Sequence, residues 1–95
     1  MHIRIAQVRF DPSRVDEALA VIREHGLPSM RLKDGVGNVY VAVDREVGRV
    51  TIVSTWDTLE HPRFANPPDF VARFEGLGPQ SEQGGARIFE VTDQV

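Results

Sequence analysis

The 95-residue sequence contains no cysteine. That absence removes disulfides, thiolate nucleophiles and cysteine-ligated zinc together, and it fits a reducing compartment. Long hydrophobic runs are also missing. The opening MHIRIAQVRF mixes charged and apolar residues, which is neither the continuous core of a signal peptide nor the roughly 20 apolar residues of a membrane span. A cytoplasmic protein with no membrane partner is expected. Basic charge is not in excess: 11 Lys and Arg stand against 14 Asp and Glu, for a net charge of -3. Binding to a phosphate backbone rests on clustered positive charge, so no nucleic acid partner is expected. There is no internal repeat and no low-complexity tract.

What is present is 41% apolar content. A chain of this size makes one domain, residues 1–95, that buries roughly 65% of its unfolded surface, which leaves a lone protomer marginal. From His2 to Phe10 the residues alternate, with Ile3, Ile5, Gln7 and Arg9 on one face and Ala6, Val8 and Phe10 on the other. Both faces are partly apolar, as in a strand at the centre of a sheet with something covering each side. DPSRVDEALAVIREHGLP then opens a helix. Ser13 and Asp16 resemble a capping box, and Val15, Ala18, Leu19 and Ile22 form one apolar stripe. Gly26 and Pro28 are expected to break or kink it, and SMRLKD to add a short helical turn that carries Met30.

NVYVAVD and RVTIVSTW are strong strand patterns, and REVG between them predicts a β-hairpin. The following DTLEHPRFANPPDFVARFEGLG holds three prolines, which excludes one long helix. A shorter helix is predicted, with Asn66 as cap, Pro67 in the first turn, and Phe70, Val71, Phe74 and Leu77 on one face. PQSEQGG reads as a solvated loop and ARIFEVT as the last strand. The order β-α-β-β-α-β is the ferredoxin-like α+β arrangement: a four-stranded antiparallel sheet with two helices on one face. Its uncovered face, expected to carry Val8 and Phe10, predicts a homodimer through the sheet, a dimeric α/β barrel.

YVAVDREVGRVTIVSTWDT, preceded by DGVGN, resembles the central hairpin of the antibiotic biosynthesis monooxygenase-like family of dimeric α/β barrels. The resemblance extends more loosely over the first strand, first helix and last strand. HPRFANPPDF departs from it, because family members carry a longer helix after the Trp. The resemblance implies a small-molecule pocket. It embraces cofactor-independent monooxygenases acting on aromatic polyketides, haem-degrading enzymes and members with no known activity. Haem ligation is disfavoured, since DFVARFEGLG lacks the His that the haem-degrading relatives place there.

Four residues are candidates for substrate binding. Trp56 reads as a cavity wall or as a core residue that covers the second helix. Gln7 lies near where haem-degrading relatives place an amide, or is a buried amide bonded to backbone. Asn38 and Tyr40 place an amide and a hydroxyl on one face of the hairpin, or belong to an interface. His61, next to Pro62, lacks the spacing of a ligand pair and reads as a surface residue; Arg9, Arg73, His2 and His25 have similarly ordinary readings. No catalytic triad, carboxylate pair, phosphate loop or metal spacing is visible, so no catalytic residue is assigned and neither cofactor nor metal is expected. Two functions stay open: a cofactor-independent oxygenase acting on a small aromatic substrate, and a non-catalytic barrel that binds a small ligand or serves in assembly.

Overall fold

The computed structural model describes residues 1–82 and 85–95. Its elements are β1 (His2–Arg9), α1 (Val15–Val21), α2 (Leu27–Arg31), β2 (Val36–Asp44), β3 (Arg49–Trp56), α3 (Pro68–Glu75), β4 (Gln80–Ser81) and β5 (Arg87–Glu90). All strand pairs are antiparallel, in the order β2-β3-β1, with β4 and β5 both on the far side of β1. The strand with two apolar faces is therefore central, as its alternation predicts. The fold is ferredoxin-like α+β, with one difference from the sequence reading. The last strand arrives in two pieces, so the sheet has five strands, and β4 lies inside the segment expected to be loop. Of that segment, Gln83 and Gly84 lie outside the described residues. Ser81 pairs with Val8 and Arg87 pairs with Ile5.

The hairpin forms where the pattern puts it. Arg45–Gly48 is the turn; Gly48 sits at φ 76°, donates its N–H to the Asp44 carbonyl at 3.0 Å and accepts from Phe10 N–H at 2.9 Å. A Cβ at Gly48 would overlap the Phe10 carbonyl oxygen, so only glycine fits this close approach. Register then fixes the faces. Val8 opposes Val50 and His2 opposes Trp56, so Ala6, Val8 and Phe10 share the side of Val50, Ser54 and Trp56, beneath the helices. Phe10 is buried in the core with Val15, Leu19, Ile22, Val50 and Phe70. The expectation that Val8 and Phe10 face the uncovered side is thus corrected. A strand apolar on both sides does not reveal by itself which parity the helices cover. The uncovered face instead carries Ile3, Ile5 and Gln7 with Val53 and Tyr40 across the sheet.

The helices begin differently from the sequence reading. Asp11, not Ser13, caps the 3-10 turn Pro12–Arg14 that leads into α1: its carboxylate accepts from Ser13 N–H at 2.9 Å and from Ser13 Oγ–H at 2.7 Å. These bonds hold the Asp11 carboxyl below its usual value, the side-chain bond contributing most. Gly26 does not end the helix; Ile22–Gly26 forms a wider π turn that joins α1 to α2. α3 begins at Pro68 with no side-chain cap, so Asn66 and Pro67 stand one residue early in the expected roles. Phe70 and Leu77 are buried, whereas Val71 is 40% exposed. No helix among the described residues is long and apolar enough to cross a membrane.

Candidate functional site

Between the helix-covered side of the sheet and the helices lies a cavity of about 260 Å³. Its apolar wall comes from Ile22, Leu27 and Met30 of the first helical unit, Ile52 of β3, and Phe70 and Phe74 of α3. The sequence explains why room remains. The π turn, with Gly26 on the lining, stands where a continuous helix would present side chains, and the proline-rich stretch before α3 crosses as irregular backbone instead of a packed helix. Phe74 and Phe70 of that wall pack ring on ring with centroids 5.0 Å apart, and Phe10 in the core meets Phe74 edge-on at 5.0 Å.

One cationic side chain lines this cavity. Arg4 stands on β1 in the parity of Ala6 and Val8, facing the helices. Its guanidinium carbon lies 4.6 Å from the centre of the Phe64 ring, and Lys33 Nζ lies 5.0 Å from the same centre. Phe64 in turn stacks on Trp56, with centroids 5.5 Å apart. Burial pulls the Arg4 guanidinium below its ordinary value, because a desolvated cation is disfavoured. Among the described residues no carboxylate comes within ion-pair distance of Arg4 and no acceptor bonds it. Asn66 and the exposed Glu75 lie on the lining as well.

The four residues singled out from the sequence do not meet in this cavity. Trp56 is 1% exposed beneath the helices and donates its indole N–H to the fully buried Ser54 Oγ at 2.8 Å, so that donor is already used. Gln7 donates its amide to Thr51 Oγ1 at 3.2 Å; it touches the cavity and also a shallow groove on the open face beside Ile5 and Phe89. Tyr40 is 58% exposed on the open face. Asn38 lies within the β-bulge between Val36 and Val39, where its backbone N–H bonds Thr55 Oγ1 at 2.8 Å.

Trp56 and His61 frame a corner. His61 is exposed, and its Nδ1 lies 2.7 Å from Asp57 Oδ1. This hydrogen bond is the main reason the Asp57 carboxyl sits below its usual value. Asp57 N–H also donates to the Gly35 carbonyl at 3.0 Å, and a side chain at Gly35, which adopts φ 77°, would overlap Asp57 and His61. Sequence reasoning passed over Arg4, Phe64 and Asn66. The available signal was an arginine inside an apolar strand, at an even position with Ala6 and Val8.

No family model matches the chain. It is 33% identical over 90 residues to uncharacterised proteins of Mycobacterium tuberculosis strains CDC 1551 / Oshkosh and H37Rv. Those matches take in 95% of this chain but 37% of each relative, so the chain spans a little over a third of their length. Among solved structures, a candidate antibiotic biosynthesis monooxygenase from Deinococcus radiodurans superposes with a TM-score of 0.78 at 17% identity, covering 100% of this chain and 96% of that one. SnoaB, a cofactor-independent oxygenase from Streptomyces nogalater, superposes with a TM-score of 0.71 at 12% identity, covering 99% and 95%. At such identities the likeness concerns fold. The chain has the ferredoxin-like fold of antibiotic biosynthesis monooxygenase-like proteins, as the hairpin motif implied.

Proposed function

We propose that this chain, with the fold of the antibiotic biosynthesis monooxygenase-like proteins, binds a small aromatic molecule in the cavity between sheet and helices. The observation that carries the reading is the cavity itself, a largely apolar space walled by Phe70, Phe74, Ile22 and Ile52 with few polar groups. At about 260 Å³ it lies just under the roughly 300–1,000 Å³ of drug-sized sites, which favours a one- or two-ring ligand over a larger polycycle. Calorimetric titration with hydroxylated naphthalenes and anthrones tests it. Saturable binding of the two-ring members is expected, and no binding by any member overturns the reading.

A second reading is catalytic: a cofactor-independent oxygenase in which the deprotonated aromatic substrate itself supplies electrons to oxygen. The fold shared with SnoaB favours it. In this reading Gln7, which reaches the cavity, orients the substrate, while Trp56 packs on Phe64 and neither ring lines the cavity. Oxygen uptake without added flavin or metal, lowered in Gln7→Ala, supports catalysis; binding without uptake leaves a ligand-binding barrel.

The protein is further proposed to be a single-domain cytoplasmic homodimer joined through the open sheet face. Size scaling gives a 10.6-kDa monomer about 5,500 Å² of accessible surface, and this chain exposes 6125 Å². Tyr40 at 58% and Phe89 at 47% exposure contribute apolar area to that face. In the dimer Tyr40 and Asn38 act as contact residues, completing a ligand site only if the partner's copy reaches it. Sedimentation at micromolar concentration tests this, and a folded 10.6-kDa monomer overturns it.

A further inference from the structure

We infer that the cavity selects an anionic ligand, an aromatic carboxylate, through Arg4. The inference rests on the cavity being a ligand site and adds the charge of the ligand. A guanidinium taken out of water into an apolar wall is costly unless something compensates it. Arg4 lines the cavity, is partly buried, and among the described residues has the Phe64 ring as its compensation and no carboxylate. A ring face offsets only part of the lost hydration and takes up none of the in-plane N–H donors. Those donors match the two oxygens of a carboxylate, which the planar guanidinium binds as a fork.

The surroundings agree. Lys33, also over the Phe64 ring, adds a second positive charge and has no carboxylate within ion-pair distance among the described residues. Two other arginines show what a satisfied partner looks like here: Arg49 Nε meets Glu82 Oε2 at 2.8 Å and Arg45 Nη1 meets Asp16 Oδ1 at 2.9 Å; what sets Arg4 apart is that it is partly buried on the cavity lining. Among the described residues Glu75 is the one carboxylate on the cavity lining; it is exposed and does not pair with Arg4. Glu75 therefore leaves the inner anion position empty and disfavours a second negative charge at the mouth. A ligand with one carboxylate at one end and an apolar ring body fits both conditions.

The test compares 2-naphthoate with its uncharged counterpart 2-naphthamide by calorimetric titration of the full chain. The carboxylate is expected to bind about tenfold to a hundredfold more tightly than the amide, as hydrogen bonds to a charged group provide. Arg4→Gln is expected to bring the carboxylate down to the level of the amide, and Arg4→Lys to keep part of the preference. Equal affinity of the two probes for the wild-type chain overturns the inference, as does a preference that survives in folded Arg4→Gln. If Arg4→Gln does not fold, the wild-type pair and Arg4→Lys decide. Amide binding without a charge preference leaves the cavity reading standing and removes this inference alone. Failure of both probes to bind removes both.

Discussion

The two faces of the sheet are made by the same three long strands and differ in almost everything else. On the helix side Val50, Ser54 and Trp56 are at most 2% exposed, and the one buried hydroxyl is bonded to the indole above it. On the open side Tyr40 is 58% and Phe89 47% exposed, with Ile3, Ile5 and Val53 half-buried between them. The difference teaches where stability and recognition are divided. The covered face contributes burial to folding, and the open face leaves apolar area exposed, the surface on which the proposed dimer rests.

The strongest way to break this comparison is Trp56→Ala. It removes the largest fully buried side chain and leaves Ser54 Oγ without its donor, and a loss of about 3–5 kcal/mol is expected in denaturant melts. A loss below about 1 kcal/mol would contradict the covered-face assignment. The same residue type then samples both sides. Phe10→Ala, in the core, is expected to cost about 3 kcal/mol or more, and Phe89→Ala, on the open face, less than about 1 kcal/mol at concentrations where the chain is monomeric. Near-equal losses would erase the distinction.

Tyr40→Lys sharpens the comparison on the recognition side. Its own unfolding free energy is expected to change by less than about 0.5 kcal/mol, while a dimer through this face weakens severalfold in sedimentation equilibrium. The smallest effect belongs to the corner outside both faces. His61→Ala is expected to shift stability by no more than about 0.5 kcal/mol. Asp57 adds a pH signature. Its carboxyl is held below the unfolded value chiefly by the His61 bond, so its contribution is present above about pH 4 and fades as pH falls through the lower folded value. Asp57→Asn is therefore expected to flatten the acid limb of a stability profile, its difference from the wild type disappearing once the pH is below the lowered folded value.

The hairpin was legible because both of its strands alternate and a four-residue Gly turn separates them, so local chemistry and register agree. Trp56 was legible as buried because it ends an apolar strand face, and His61 as exposed because it stands beside Pro62 in a turn. The orientation of β1 was not, because Ile3 and Ile5 compete with Val8 and Phe10, and the choice is made by the helix packed against one side. Arg4 was hidden for a related reason. An arginine in a strand has a solvated reading by default, and only the distant pieces that close over it, the π turn and the proline-rich crossing, take it out of water. Asn38, Tyr40 and Trp56 belong to the hairpin and Gln7 to the strand beside it, but parity sends Trp56 beneath the helices and Gln7 and Tyr40 to the open face.

The broken strand at one margin of the sheet has a consequence for behaviour at high concentration. An uninterrupted edge offers a ladder of free N–H and C=O groups onto which another chain can add, the route to fibrillar growth. Here one margin is cut between Ser81 and Arg87, and the opposite margin, β2, is offset by its bulge at Val36–Val39. The margin of β4 and β5 offers only short templates, so strand addition is discouraged there. β2 keeps a regular run, Val39–Asp44, beyond its bulge, and it is the rim where an added strand has room to pair.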